Sequence, residues 1–220
     1  MTTTRANEIL SILKSNFSTP QWASSARSPF QTLIVTIISQ NTAGKNTAKA
    51  FERLSNKFKI TPEALAKAET REIEDALRVA GLFRNKAKTI KQVSQIILER
   101  FHGSLDFVHS MPFEEARKTL LTLPGVGPKT ADVVLLFTAG KPTIPVDTHV
   151  NRVSKRLGLA PVKAGYEDVR MALQLLFARQ DFLAVHLLLI MLGRKYCKAL
   201  KPMCKQCPVN SLCPSRRTED

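Results

Sequence analysis

No apolar run in this 220-residue chain reaches the roughly 18 residues needed to span a bilayer. The longest, Phe182 to Leu192, is broken by His186, so a membrane protein is not expected. The opening Met1-Thr2-Thr3-Thr4-Arg5 lacks the apolar centre of a secretory signal. A soluble, cytoplasmic protein is the expectation, associated with the nucleoid if its partner is DNA. No segment sustains the alternation of a strand, and neither an internal repeat nor a low-complexity tract is present. Cysteine is missing from the first 196 residues. Acid is scarce as well: 18 Asp and Glu face 33 Lys and Arg, for a net charge of +15. From Arg194 to Arg217 there are seven basic residues and no acidic one. A solubility charge would be scattered, whereas this clustering favours attraction to a polyanion.

What is present reads as helix after helix. With 44% hydrophobic and 23% charged residues, the chain can bury an ordinary core. Its length suits one large domain or two small ones. Ser28-Pro29 is a helix start, followed by Phe30, Leu33, Ile34, Ile37 and Ile38 at helical spacing. Thr61-Pro62 and Thr70 read as further N-caps. Ala87, Ile90, Val93, Ile97 and Phe101 form another apolar stripe, and Val150, Val153 and Leu157 stripe a helix after Asp147. Two more helices are expected from Val169 to Phe177 and from Phe182 to Leu192. Only Thr143 to Val146 reads as extended, and only the last few residues as a disordered tail. The fold class is all-α.

A short helix from Pro112 to Leu121 leads into Leu123-Pro124-Gly125-Val126-Gly127-Pro128-Lys129-Thr130-Ala131. The two glycines permit positive φ and leave no Cβ in the way of a ligand. Pro128 suits the first helical position, where a missing N–H costs nothing. The free amides of that turn, at the positive end of the helix dipole, suit a phosphate. Lys129 lies in the same turn, where the dipole disfavours the ammonium and favours the free amine. A phosphate cradle beside a nucleophilic amine points to chemistry on nucleic acid.

Cys197, Cys204, Cys207 and Cys213 are spaced C-x6-C-x2-C-x5-C. Two disulfides would suit a secreted chain; clustering in a reducing compartment argues for one metal site instead. Four thiolates can hold a structural zinc or a [4Fe–4S] cluster, and the single C-x2-C pair fits zinc less well. Lys198 and Lys201 lie in the loop between the first two cysteines, which can carry them to phosphates or leave them in solvent.

The hairpin with Lys129, Val146-Asp147-Thr148-His149 and the four-cysteine tail together resemble the endonuclease III branch of the helix–hairpin–helix DNA glycosylases. Ile38-Ser39-Gln40-Asn41-Thr42 and Gly81-Leu82-Phe83 stand where that family carries strand-contacting loops. The resemblance implies two helical lobes with a DNA cleft between them. Residues 25–140 would form a six-helix barrel with the hairpin; residues 1–24 and 141–220 would form the lobe holding a [4Fe–4S] cluster. It implies a monomer acting on double-stranded DNA that contains damaged bases or abasic sites. The activity implied is excision of oxidised or damaged pyrimidines, then cleavage of the abasic strand by β-elimination.

The same resemblance distributes roles. Lys129 would attack the sugar, and Asp147 would stabilise the developing cation, although Asp147 also reads as a helix N-cap. Gln40 and Leu82 would fill the gap left by an extruded nucleotide. A leucine at a turn is more often packing, whereas Gln40 has no evident structural duty. Asn41, Thr42, Gly125, Val126, Gly127, Thr130, Lys198 and Lys201 would contact DNA. His149 suits either a phosphate or a structural hydrogen bond. Mismatch glycosylases for adenine or thymine resemble the scaffold but generally lack the hairpin lysine. The adenine enzymes also place a glutamate near the start of a helix that here, from Phe30 to Ile38, has no carboxylate. A non-catalytic iron–sulfur DNA-binding protein would explain the charge and the cysteines, but not Lys129 and Asp147.

Overall fold

The computed structural model describes residues 2–18 and 27–216. The expected disordered tail falls mainly on residues 217–220, outside them. Every regular element among the described residues is helical. α1 (Thr3–Asn16) and the described residues from Pro142 onward form one compact unit, and α2 to α9, up to Lys141, form the other.

The unit ending at Lys141 holds six helices of eight or more residues and two short ones. They are α2 (Pro29–Ser39), α3 (Gly44–Lys57), α4 (Pro62–Lys67), α5 (Thr70–Leu77), α6 (Phe83–Phe101), α7 (Phe107–Ser110), α8 (Phe113–Leu121) and α9 (Pro128–Ala139). α2 starts where its sequence says. Ser28 accepts from Gln31 N–H while the Gln31 side chain accepts from Ser28 N–H, a capping box that satisfies two orphan donors. Phe30, Leu33, Ile34, Ile37 and Ile38 are all buried, so α2 runs through the centre of the core. The α6 stripe packs against it through Ala87, Ile90, Val93 and Ile97.

Thr70 is not an N-cap. α5 is capped at Glu69, because burying Ile73 and Leu77 together sets the helix phase one residue earlier. Between α8 and α9, Arg117 Nε and Nη2 donate to the two oxygens of Asp132 at 2.8 and 3.3 Å. This buried fork ties the two helices of the hairpin to each other; removing one partner would strand a buried charge at a cost of about 3–5 kcal/mol.

The other unit contains α1, α10 (Thr148–Arg156), α11 (Tyr166–Leu176) and α12 (Phe182–Lys195). The segment from Thr143 to Val146 is buried and without regular structure, in keeping with Pro145 inside it and Pro142 just before it. His186 in α12 fixes it: Nδ1 lies 2.8 Å from Pro145 O, and a carbonyl only accepts, so Nδ1 carries the proton. Among the described residues no helix is long and apolar enough to cross a membrane.

Candidate functional site

The hairpin forms as expected, with one difference between its glycines. Gly125 has φ +73°, and a Cβ there would lie 2.4 Å from Thr89 Cγ2. Gly127 has φ −93° and nothing within 4 Å of a Cβ, so no contact inside the protein requires glycine at the α9 N-cap. Gly125→Ala should therefore lower stability by about 1–3 kcal/mol, the cost of a left-handed non-glycine residue. Urea denaturation of Gly125→Ala beside Gly127→Ala checks this, the second being milder.

Pro128 occupies the first helical position, and the α9 ladder begins with Ala131 N–H on Gly127 O. The amides before Ala131 thus lie outside the ladder, at the positive helix end. Lys129 sits there half-buried. Val126 supports the hairpin from within: its side chain is in the core and its N–H bonds Leu123 O. Thr130 is buried as well.

Gln40 has a structural duty after all. Its Nε2 donates to Gly125 O at 3.0 Å and lies 3.4 Å from Thr130 Oγ1, so the amide expected to be idle latches the α2 end onto the hairpin. Asn41 and Leu82 are both left-handed, at φ 50° and 57°, and Leu82 is 59% exposed. Packing therefore does not account for Leu82. Thr42 Oγ1 accepts from Lys86.

In the other unit, Asp147 caps α10: Oδ1 accepts from Val150 N–H at 2.7 Å. Burial pulls the His149 imidazole below its ordinary value. Its Nδ1 accepts from Arg152 Nη2 at 3.1 Å, which leaves Nε2–H as its remaining donor.

All four cysteines line one cavity of ≈ 240 Å³ and none is in a disulfide. Burial pushes the Cys207 thiol up to about 11, and the three other thiols push the same way. Burial also raises Cys213. Such a donor set suits a cationic centre that compensates crowded thiolates. Among the described residues no group of three or more His, Cys, Asp or Glu is drawn together tightly enough for a single metal ion. Arg156 braces the loop between Cys197 and Cys204, with Nη1 donating to Lys198 O at 2.7 Å and Nη2 to Ala199 O at 3.0 Å. Arg152 Nε donates to Cys197 O at 2.9 Å. Lys198 and Lys201 are exposed on that loop.

Residues 34–179 match the model of the HhH-GPD superfamily base excision DNA repair proteins. Endonuclease III of Sulfolobus acidocaldarius is 38% identical over 85% of this chain and 82% of its own length. Endonuclease III of Escherichia coli strain K12 is 34% identical over 97% and 96%. This chain belongs to the endonuclease III family. Its fold matches the structure of a trapped endonuclease III–DNA covalent intermediate with a TM-score of 0.85, at 32% identity and covering 98% and 97% of the two chains.

Within this family member, sequence reasoning missed three side chains that hold the candidate residues. Arg152 and Arg156 lie on one face of α10, at the i, i+4 spacing that brings both to the cysteine loop. Lys86 holds the loop after α2. Arg152 and Arg156 carried a signal in their spacing; Lys86 carried none, being one of 33 basic residues.

Proposed function

We propose that this chain is a bifunctional DNA glycosylase and abasic-site lyase of base excision repair, acting on damaged pyrimidines. One observation carries the reading: a lysine amine, half-buried, in the first turn of α9 beside the Gly125–Gly127 cradle. The related endonuclease III held in a covalent intermediate with DNA supports it. The duplex phosphate meets the amides ahead of Ala131, where the helix dipole favours an anion. Lys129 Nζ attacks sugar C1′ as the bond from C1′ to the damaged base breaks, and the electron pair leaves with the base. Loss of a proton from nitrogen and opening of the ring give an imine between Nζ and C1′. Removal of a C2′ proton then expels the 3′ phosphate, which cuts the strand. Asp147 would supply the negative charge that stabilises the sugar cation. Gln40 and Leu82 occupy the space of the extruded nucleotide.

The four cysteines hold a [4Fe–4S] cluster, which supplies structural closure of a tail poor in apolar residues. The exposed Lys198 and Lys201 then face phosphate. Aerobically purified protein should be yellow-brown and contain about four irons per chain. A colourless protein with one zinc would overturn the cluster and leave the enzyme reading intact. The enzyme reading is tested by borohydride trapping on a duplex with one abasic site. A covalent protein–DNA adduct and a nicked strand are expected. A parent chain that binds the duplex yet neither crosslinks nor cuts would instead be a non-catalytic DNA-binding protein.

A further inference from the structure

The end of α2 and the turn before α6 are held together by a lysine that no acid accompanies. Lys86 is 4% exposed. Its Nζ donates to Ile38 O at 2.8 Å and to Thr42 Oγ1 at 2.6 Å. No carboxylate among the described residues forms an ion pair with it. Burial pulls its ammonium below the ordinary lysine value. A methionine would fill this space without that penalty, so the charge needs a reason beyond packing. Its partners suggest one. Ile38 O belongs to the last turn of α2, where the negative helix end favours a cation. Thr42 belongs to the loop that follows.

Two further observations converge on the same place. A Cβ on Gly81 would lie 2.9 Å from Asn41 O, so loop and turn touch backbone to backbone. Asn41 and Leu82, one on each side of that contact, are both left-handed non-glycine residues, a conformation kept only where the surroundings enforce it.

We propose that Lys86 is a positioning residue that locks the Gln40–Thr42 loop to the Gly81–Leu82 turn, so that both enter the duplex as one preset wedge. This rests on the glycosylase reading. A wedge held in place before binding costs no ordering entropy when the nucleotide is extruded. Its contribution is therefore largest where a base must be unstacked, and small at an abasic site, which has no base to remove from the stack.

Lys86→Met tests this in single-turnover reactions on two duplexes, one with a damaged pyrimidine paired to adenine and one with a preformed abasic site. Excision of the paired base should fall about 10–100-fold, the scale of a misplaced positioning group. Cleavage at the abasic site should stay close to the parent rate. A 2-aminopurine beside the lesion should brighten on parent binding and stay dim with the variant. Leu82→Ala should slow the parent strongly yet add little to Lys86→Met, because the two act through one element. If Lys86→Met does not fold, Gly81→Ala, which forces the two backbones apart, should give the same split. Equal losses on both duplexes, or excision and fluorescence like the parent's, would overturn the proposal while the enzyme reading stands. A parent inactive on both duplexes would overturn both.

Discussion

Lys129→Ala will bind damaged duplex about as well as the parent, but will form no borohydride-stable adduct and leave abasic strands uncut. The expectation follows from what the substitution removes and what it spares. Lys129 is only half-buried, so truncation leaves no sealed cavity in the core. The left-handed Gly125, the α9 N-cap at Gly127 and the buried Arg117–Asp132 fork all remain, and with them the cradle for phosphate. What is lost is the amine. Removing a nucleophile that acts as part of one chemical unit costs on the order of 10³-fold or more in rate. Electrophoretic shift on a lesion duplex measures the first half, and trapping on an abasic duplex the second. An adduct that persists at the parent level would assign the nucleophile to another amine. Lys86 is a poor substitute, since its Nζ is buried and committed to Ile38 O and Thr42 Oγ1.

The hairpin was legible because its chemistry is local. A glycine, a second glycine, a proline and a lysine in five residues state a turn, an N-cap, a first helical position and an amine. The α2 start and the apolar stripes were legible for the same reason, since capping and helical period act over three or four residues. The gathering of the four thiols around one cavity was legible because all of them fall within seventeen residues. Long-range hydrogen bonds were not. Gln40 looked idle because its partners, Gly125 and Thr130, lie 85 and 90 residues away. Gly127 looked like Gly125, yet only one of them needs positive φ. Thr70 misled because threonine is a common cap, while the phase of α5 is set by Ile73 and Leu77. Lys86 was invisible: only folding shows that one lysine among many is buried beneath two loops.

Asp147→Asn should separate the two roles that one side chain carries. Asp147 Oδ1 accepts from Val150 N–H, which is an N-cap by geometry. Asparagine caps a helix about as well as aspartate, so its amide oxygen can keep that bond and stability should change by less than about 0.5 kcal/mol. The negative charge is gone, however, and a neutral amide offers a developing sugar cation little stabilisation. Excision should slow by about 10²–10⁴-fold, the range typical of losing one positioned acid, base or charge. Asp147→Ala loses the cap as well, and should add a stability loss of about 1 kcal/mol to a similar loss of rate. Thermal denaturation and single-turnover excision on the same three proteins give the comparison. If Asp147→Asn keeps the parent rate while Asp147→Ala is merely less stable, the carboxylate is a cap and nothing more. If both variants lose the rate and only alanine loses the cap, the charge acts on the sugar and the cap serves to aim it.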